Sequence, residues 1–244
     1  MKSLPAVKCI LAVVVVFSPM AVSHAAKSKK ASNDPFLYKS TAPLSVSAVL
    51  AHFEIYDRRL NSLSAGFRQS LIMETTGITS DIKGTVAYRK PERLRIEHEK
   101  PERQTIVADG QDIWIHRHRL AQVIQAAIVD WKDADPMMNN LLQFGSYGKM
   151  LKAYDVRLDT AAAGPVLLLR PKRGDSGADF TLRFVLDERT LFPVVTELIV
   201  GAMRVRTEFD EVRFNPEIDA KQFIFTIPKG ADVFRNFKPP KFER

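Results

Sequence analysis

The stretch GTVAYRKPERLRIEHEKPERQTIVADGQDIWIHR, residues 84–117, decides the fold. Four short runs, Gly84 to Lys90, Leu94 to Glu99, Gln104 to Ala108 and Gln111 to Arg117, alternate apolar with polar residues, which is the period of a strand. The breaks between them are turns. Asp109-Gly110 suits a type I′ hairpin, because both central positions of that turn need positive φ. The near-repeats Lys90-Pro91-Glu92-Arg93 and Lys100-Pro101-Glu102-Arg103 place a proline where a ladder donor cannot be supplied. Four antiparallel neighbours follow, with no room for a helical crossover between them.

Upstream, Val46, Val49, Leu50, Phe53, Tyr56, Asp57 and Leu60 recur at helical spacing behind Ser45, a good N-cap residue. After Asn61 the period switches to two, with Leu63, Ala65, Phe67, Leu71 and Met73 reading as a strand. Downstream, Ala121 to Ile128 continues the strands. The segment Asp135 to Leu151 returns to helical spacing through Pro136, Met137, Met138, Leu141, Leu142 and Phe144, with Gly145 and Gly148 as stop signals. Further strands are expected at Ala153–Leu158, Val166–Pro171, Phe180–Leu186, Val194–Val200, Ala202–Phe209 and Phe223–Ile227, with turns at Asp187–Thr190 and Gly201. About ten antiparallel strands with one amphipathic N-terminal helix and one short apolar lid helix make an α+β protein. A flat sheet this wide leaves an apolar face in water, so the expected form is a curved antiparallel sheet, an incomplete (half) β-barrel.

The N-terminus sets the compartment. Lys2 and Lys8 precede the apolar run Ile10 to Phe17, and Ser23-His24-Ala25 offers small residues for cleavage, so residues 1–25 read as a removed signal peptide and the protein as periplasmic. An uncleaved anchor is the alternative, but the run is short of the roughly 20 residues that span a bilayer. Residues 26–43 form a flexible leader, 44–234 the domain and 235–244 a basic tail. The single cysteine, Cys9, leaves with the signal peptide, so the mature chain holds no disulfide or thiolate site. A formal charge of +8 points to nucleic acid, an anionic membrane or an acidic partner. Export and the even spread of charge argue against nucleic acid.

No catalytic constellation emerges, so the reading is a non-enzyme without cofactor or metal. His98, His116 and His118 fall on strands, but Arg117 and Arg119 alternate with the latter two and oppose a cation, so they read as solvated strand histidines. Ser70, Ser146 and Ser176 lie in no nucleophile elbow, Glu97 and Glu99 share a charged face, and Gly174–Gly177 is a hairpin turn. What is abundant is apolar surface. The inward phase comprises Phe67, Val86, Tyr88, Leu94, Ile96, Ile113, Ile115, Val123, Phe180, Leu182 and Phe184. A filled core is the default for such a set, and periodicity does not separate it from a cavity.

The residues 84–117 pattern resembles the outer-membrane lipoprotein carrier family, LolA, in order and spacing. Phe67-Arg68-Gln69, Gln122-Val123 and the stretch from Phe223 to Val233 add to the likeness, which covers Leu44 to Val233. The resemblance implies an apolar concave face, lidded by helices, that receives acylated lipoproteins from an inner-membrane lipoprotein-releasing ABC transporter and delivers them, as a monomer, to an outer-membrane acceptor. Met138, Leu141 and Leu142 would then join the inward residues in contacting lipid. The family's arginine before the proline at Pro91 controls lid closure. Here that position is Lys90, preceded by Arg89, and either could serve, since lysine lacks arginine's planar fork. A carrier or sensor of another lipid on the same fold, and a structural envelope protein with a solid core, remain open beside the carrier.

Overall fold

The structure is a computed structural model that describes residues 34–134, 147–152, 154–161, 164–172 and 180–238. Helix α1 (Val46–Arg59) starts where Ser45 caps it: the Ser45 hydroxyl accepts the Ala48 amide at 3.2 Å. Strands β1 (Ser62–Met73) to β6 (Gln122–Ala127) then form a meander, through β2 (Ile78–Arg89), β3 (Arg93–Lys100), β4 (Gln104–Asp109) and β5 (Asp112–Arg117). Helices α2 (Ile128–Ala134) and α3 (Tyr147–Leu151) follow. A second meander runs through β7 (Tyr154–Asp159), β8 (Val166–Pro171), β9 (Phe180–Leu186), β10 (Pro193–Val200) and β11 (Met203–Phe214).

The two meanders join where β11 pairs antiparallel with β1, and with a last short strand β12 (Asp232–Phe234) they give one open twelve-stranded sheet in the order β12-β6-β5-β4-β3-β2-β1-β11-β10-β9-β8-β7. The expected α+β half-barrel is therefore present, mostly β and unclosed. Its two outer meander strands, β6 and β7, are sequence neighbours, so their connection must join opposite sides of the sheet. The described parts of that connection supply Trp131 and Leu151 to the core.

Each strand buries one phase against this core, and a single apolar cluster draws on α1 and on strands of both meanders. Helix α1 packs at one end of it. Tyr56 lies among Phe36, Phe192 and Phe214 at ring-centroid distances of 5.0, 5.7 and 5.3 Å, and its hydroxyl donates to the Thr190 carbonyl at 2.8 Å. The helix-to-strand corner is held by Asn215, whose side-chain oxygen accepts the Asn61 and Ser62 amides while its nitrogen donates to the Arg59 carbonyl. One side chain thus satisfies the end of α1 and the start of β1.

Two expectations need correction. Phe223–Ile227 is not a strand: Ala220–Phe223 form a 3-10 turn, and the chain then crosses the outer face of the sheet with Phe225 stacked on Trp114 at 5.5 Å. The alternation of Phe223 and Phe225 comes from docking on that face, not from ladder pairing. The edge strand is instead β12 (Asp232–Phe234), which pairs in parallel with β6. The histidines are the second. His98 and His116 are buried, and His118 leaves β5 for a 3-10 turn, where its ring lies 3.9 Å from that of His116.

Gly84 shows how tightly the inner face is packed. A Cβ there would meet the Glu97 carbonyl at 2.1 Å and the Phe67 ring at 2.8 Å, so the missing side chain is what lets Phe67 lie across β2. Gly84→Ala should cost about 2 kcal/mol or more through this overlap. Urea unfolding at neutral pH checks it, and a variant as stable as the parent would show that Phe67 does not rest there.

Candidate functional site

Antiparallel pairing aligns the inner phase into rows that run across the sheet, because directly opposed residues point to the same side. One row is Leu63, Tyr88, Leu94, Ala108, Ile113 and Ala126; the next is Ala65, Val86, Ile96, Ile106, Ile115 and Ile124. All twelve are buried. A third row passes through Phe209, Phe67, Gly84 and His98. On the second meander, Leu167 and Phe184 align with Thr196, Thr207 and Gln69, while Leu169, Leu182, Leu198 and Val205 form the row beyond. Phe180, half-buried, lies further out opposite Val200.

Ten of the eleven sheet residues expected to face inward do so: Phe67, Val86, Tyr88, Leu94, Ile96, Ile113, Ile115, Phe180, Leu182 and Phe184. Val123 does not. It opposes His116, one residue out of phase with Ile115 and Ile124, and is buried instead on the outer face, pairing with Val233 of the C-terminal segment. The segment around it, Val123, Ile124, Ala126, Ala127 and Ile128, is apolar in both phases, so alternation could not choose between them. For the same reason Ile106 and Ala108 were hidden in the continuous run Ile106-Val107-Ala108, which is buried on both faces. Alternation in β11 does mark Val205, Thr207 and Phe209 as inward. Met138, Leu141 and Leu142 lie outside the described residues.

The opposite face is charged. Glu197 sits between Arg206 and Arg183 at 2.7 and 3.0 Å, and Arg206 also holds Glu208. Burial alone would raise the Glu197 pKa, but the hydrogen bonds from the two arginines outweigh it and hold the carboxyl below its ordinary range. Glu97 pairs with Arg95 and accepts the Thr105 hydroxyl, and Glu99 pairs with Lys83. Among the described residues no group of three or more side chains could hold a metal ion, and no helix is long and apolar enough to cross a membrane.

Of the two basic residues at the first proline turn, Arg89 has the outward phase, opposite Ser62 and Arg93. Lys90 turns toward the helices, and its ammonium donates to the Asp57 carbonyl in the last turn of α1 at 2.8 Å. The Asp57 carboxylate in turn accepts the Tyr147 and Gly148 amides at the start of α3, at 2.6 and 2.8 Å. Burial pushes the Asp57 pKa up, partly offset by the Gly148 and Tyr147 amides and then by Lys90, and it pushes the Lys90 pKa down, partly offset by Asp57. Tyr147 completes the contact by packing its ring 4.9 Å from that of Phe53. A strand turn, α1 and α3 meet at one bracket.

A family model described as outer membrane lipoprotein carrier protein LolA matches residues 58–226, more than half of the chain. The chain belongs to the LolA family. A relative from Hahella chejuensis named outer-membrane lipoprotein carrier protein is 30% identical over 205 residues, covering 80% of this chain and 95% of that protein. One of the same name from Chromohalobacter salexigens is 28% identical, covering 72% of this chain and 81% of that protein. A crystal structure of a LolA superfamily protein from Nitrosomonas europaea is similar with a TM-score of 0.44 at 10% identity, over 75% of this chain and 98% of that one. Membership makes the chain a lipoprotein carrier that acts in outer-membrane biogenesis, non-enzymatic and periplasmic.

His98 is a strongly perturbed histidine on the inner face. It is buried against Phe67, with ring centroids 5.8 Å apart, and its Nε2 has no hydrogen-bond partner among the described residues. Burial lowers its pKa to about 4, only partly opposed by Glu97. The ordinary value of 6.5 applies in the unfolded chain, so the unfolded state takes up the proton first. Stability is therefore full above pH 6.5 and falls as the pH drops toward 4, by about 3 kcal/mol for this group. Urea unfolding across that range should show this loss in the parent but not in His98→Leu, and equal pH slopes would refute a neutral buried imidazole.

Proposed function

We propose that the inner face is the seat of the cargo's acyl chains, with Phe67, Val86, Tyr88, Leu94, Ile96, Ile113, Ile115, Phe180, Leu182 and Phe184 among the contacting residues and Met138, Leu141 and Leu142 completing the site from the lid. The observation that carries this reading is the pair of unbroken apolar rows across β1 to β6, set against a charged opposite face. Burial of a methylene is worth about 0.8 kcal/mol, so one long acyl chain gains on the order of 10 kcal/mol on a dry surface of this kind, and no chemistry is required.

The rows are buried beneath the covering elements, so loading requires those elements to move. The bracket of Lys90, Asp57 and the start of α3 is the proposed control point, with Lys90 taking the place of the family's arginine. It holds through one carboxylate and three backbone groups, and binding of the chains must supply the energy to release it. The export signal at residues 1–25, release of cargo by an inner-membrane ABC transporter, delivery to an outer-membrane acceptor and action as a monomer belong to the same proposal.

The mature chain, incubated with energised inner-membrane vesicles that contain the transporter and a triacylated lipoprotein, should bring the lipoprotein into the soluble fraction as a one-to-one complex. Lipoprotein that stays in the membrane at every concentration of the chain would contradict the proposal. Recovery of free phospholipid in its place would favour a carrier of another lipid on the same fold.

A further inference from the structure

The apolar floor is interrupted at one level. Gln69 on β1, Thr207 on β11 and Thr196 on β10 oppose one another directly on three adjacent strands, and all three point to the inner face. They are buried to 3%, 0% and 2% exposure, between Phe184 and Ile82 along the row and above Leu198 and Val205 in the next. The Gln69 side-chain amide donates to the Thr207 hydroxyl oxygen at 2.9 Å, which leaves the Thr207 proton free to donate in turn. The Thr196 hydroxyl has no hydrogen-bond partner among the described residues. An orphaned buried hydroxyl costs stability, and valine would fill the space without that cost, so packing does not account for a threonine here.

We propose that Thr196, backed by Thr207 and Gln69, is a subsite for the carbonyl of an ester-linked acyl chain, and that it fixes how deep the glyceryl end of the lipid sits. This rests on the carrier reading above. An acyl chain is held by non-directional burial and can slide along an apolar floor. Its ester carbonyl needs a donor once water is removed, and a hydroxyl waiting at one level of the floor supplies both the bond and the register.

The test compares a dipalmitoyl-S-glyceryl-cysteine lipopeptide with its dialkyl-ether counterpart of equal chain length, read as displacement of an environment-sensitive fluorophore from the mature chain. The ester should bind roughly three- to tenfold tighter than the ether. Thr196→Val should bring the ratio to about one by weakening the ester alone, with a thermal midpoint no lower than the parent's. Thr196→Ser should keep the preference. Equal binding of the two lipopeptides by the parent, or a preference that survives in folded Thr196→Val, overturns the subsite while leaving the carrier intact. Failure of both to bind overturns the carrier reading and the subsite with it. A dipalmitoyl phospholipid that outcompetes the lipopeptide, with the same dependence on Thr196, supports the subsite and assigns it to a membrane lipid.

Discussion

The pleat of a β-strand sends successive side chains to opposite faces, and here that alternation separates a dry face from a charged one across both meanders. The consequence is geometric. Leu94 and Ile96 must stay out of water while Arg95 and Glu97, their immediate neighbours, stay near it, and the same holds strand after strand. A sheet this wide can meet both demands only by curling its dry face around whatever covers it. Helix α1, the bracketed start of α3 and the core residues Trp131 and Leu151 serve as that cover. Under the proposed reading, the same alternation supplies the acyl-chain seat, because an apolar surface of that size exists only where the cover is exchanged for the chains.

Two corners set how the cover is attached. Asn215 satisfies the backbone at the end of α1 and the start of β1, which fixes the helix to the sheet. The Asp57 bracket differs in kind. Its carboxylate is drawn out of water and held by two amides of a five-residue helix, with Lys90 beside it. Burial disfavours both charges even as they attract each other, so the contact is specific without being deep. That balance suits the control point proposed for it. The outer face has its own cover in the C-terminal segment, where Phe225 lies on Trp114 and β12 extends the sheet beyond β6.

Much of this was legible in the sequence where the pattern was unambiguous. The turns at Lys90-Pro91, Lys100-Pro101 and Asp109-Gly110 gave the first meander, and Ser45 with the three-to-four spacing after it gave α1 nearly to the residue. Legibility failed where both phases were apolar. Val123 and Ile124 offer the same chemistry to opposite faces, and only the register with His116 and Ile115 tells them apart. It failed again at Phe223 to Ile227, where aromatic alternation marks a segment docked on a face instead of a strand within the sheet. The polar interruption at Gln69, Thr207 and Thr196 was invisible for a third reason: inward threonines satisfy strand propensity, and only long-range pairing brings the three residues to one level.

The most direct measurement of the central claim is site-specific photo-crosslinking of the loaded carrier. Benzoylphenylalanine placed at Ile115, on the inner face, or at its neighbour Trp114, on the outer face, differs by one residue and by the whole thickness of the sheet. Irradiation with an acylated lipoprotein bound should yield an adduct to the acyl chain from position 115 and none from position 114. Equal adducts from both positions, or an adduct from 114 alone, would contradict an inner-face lipid site.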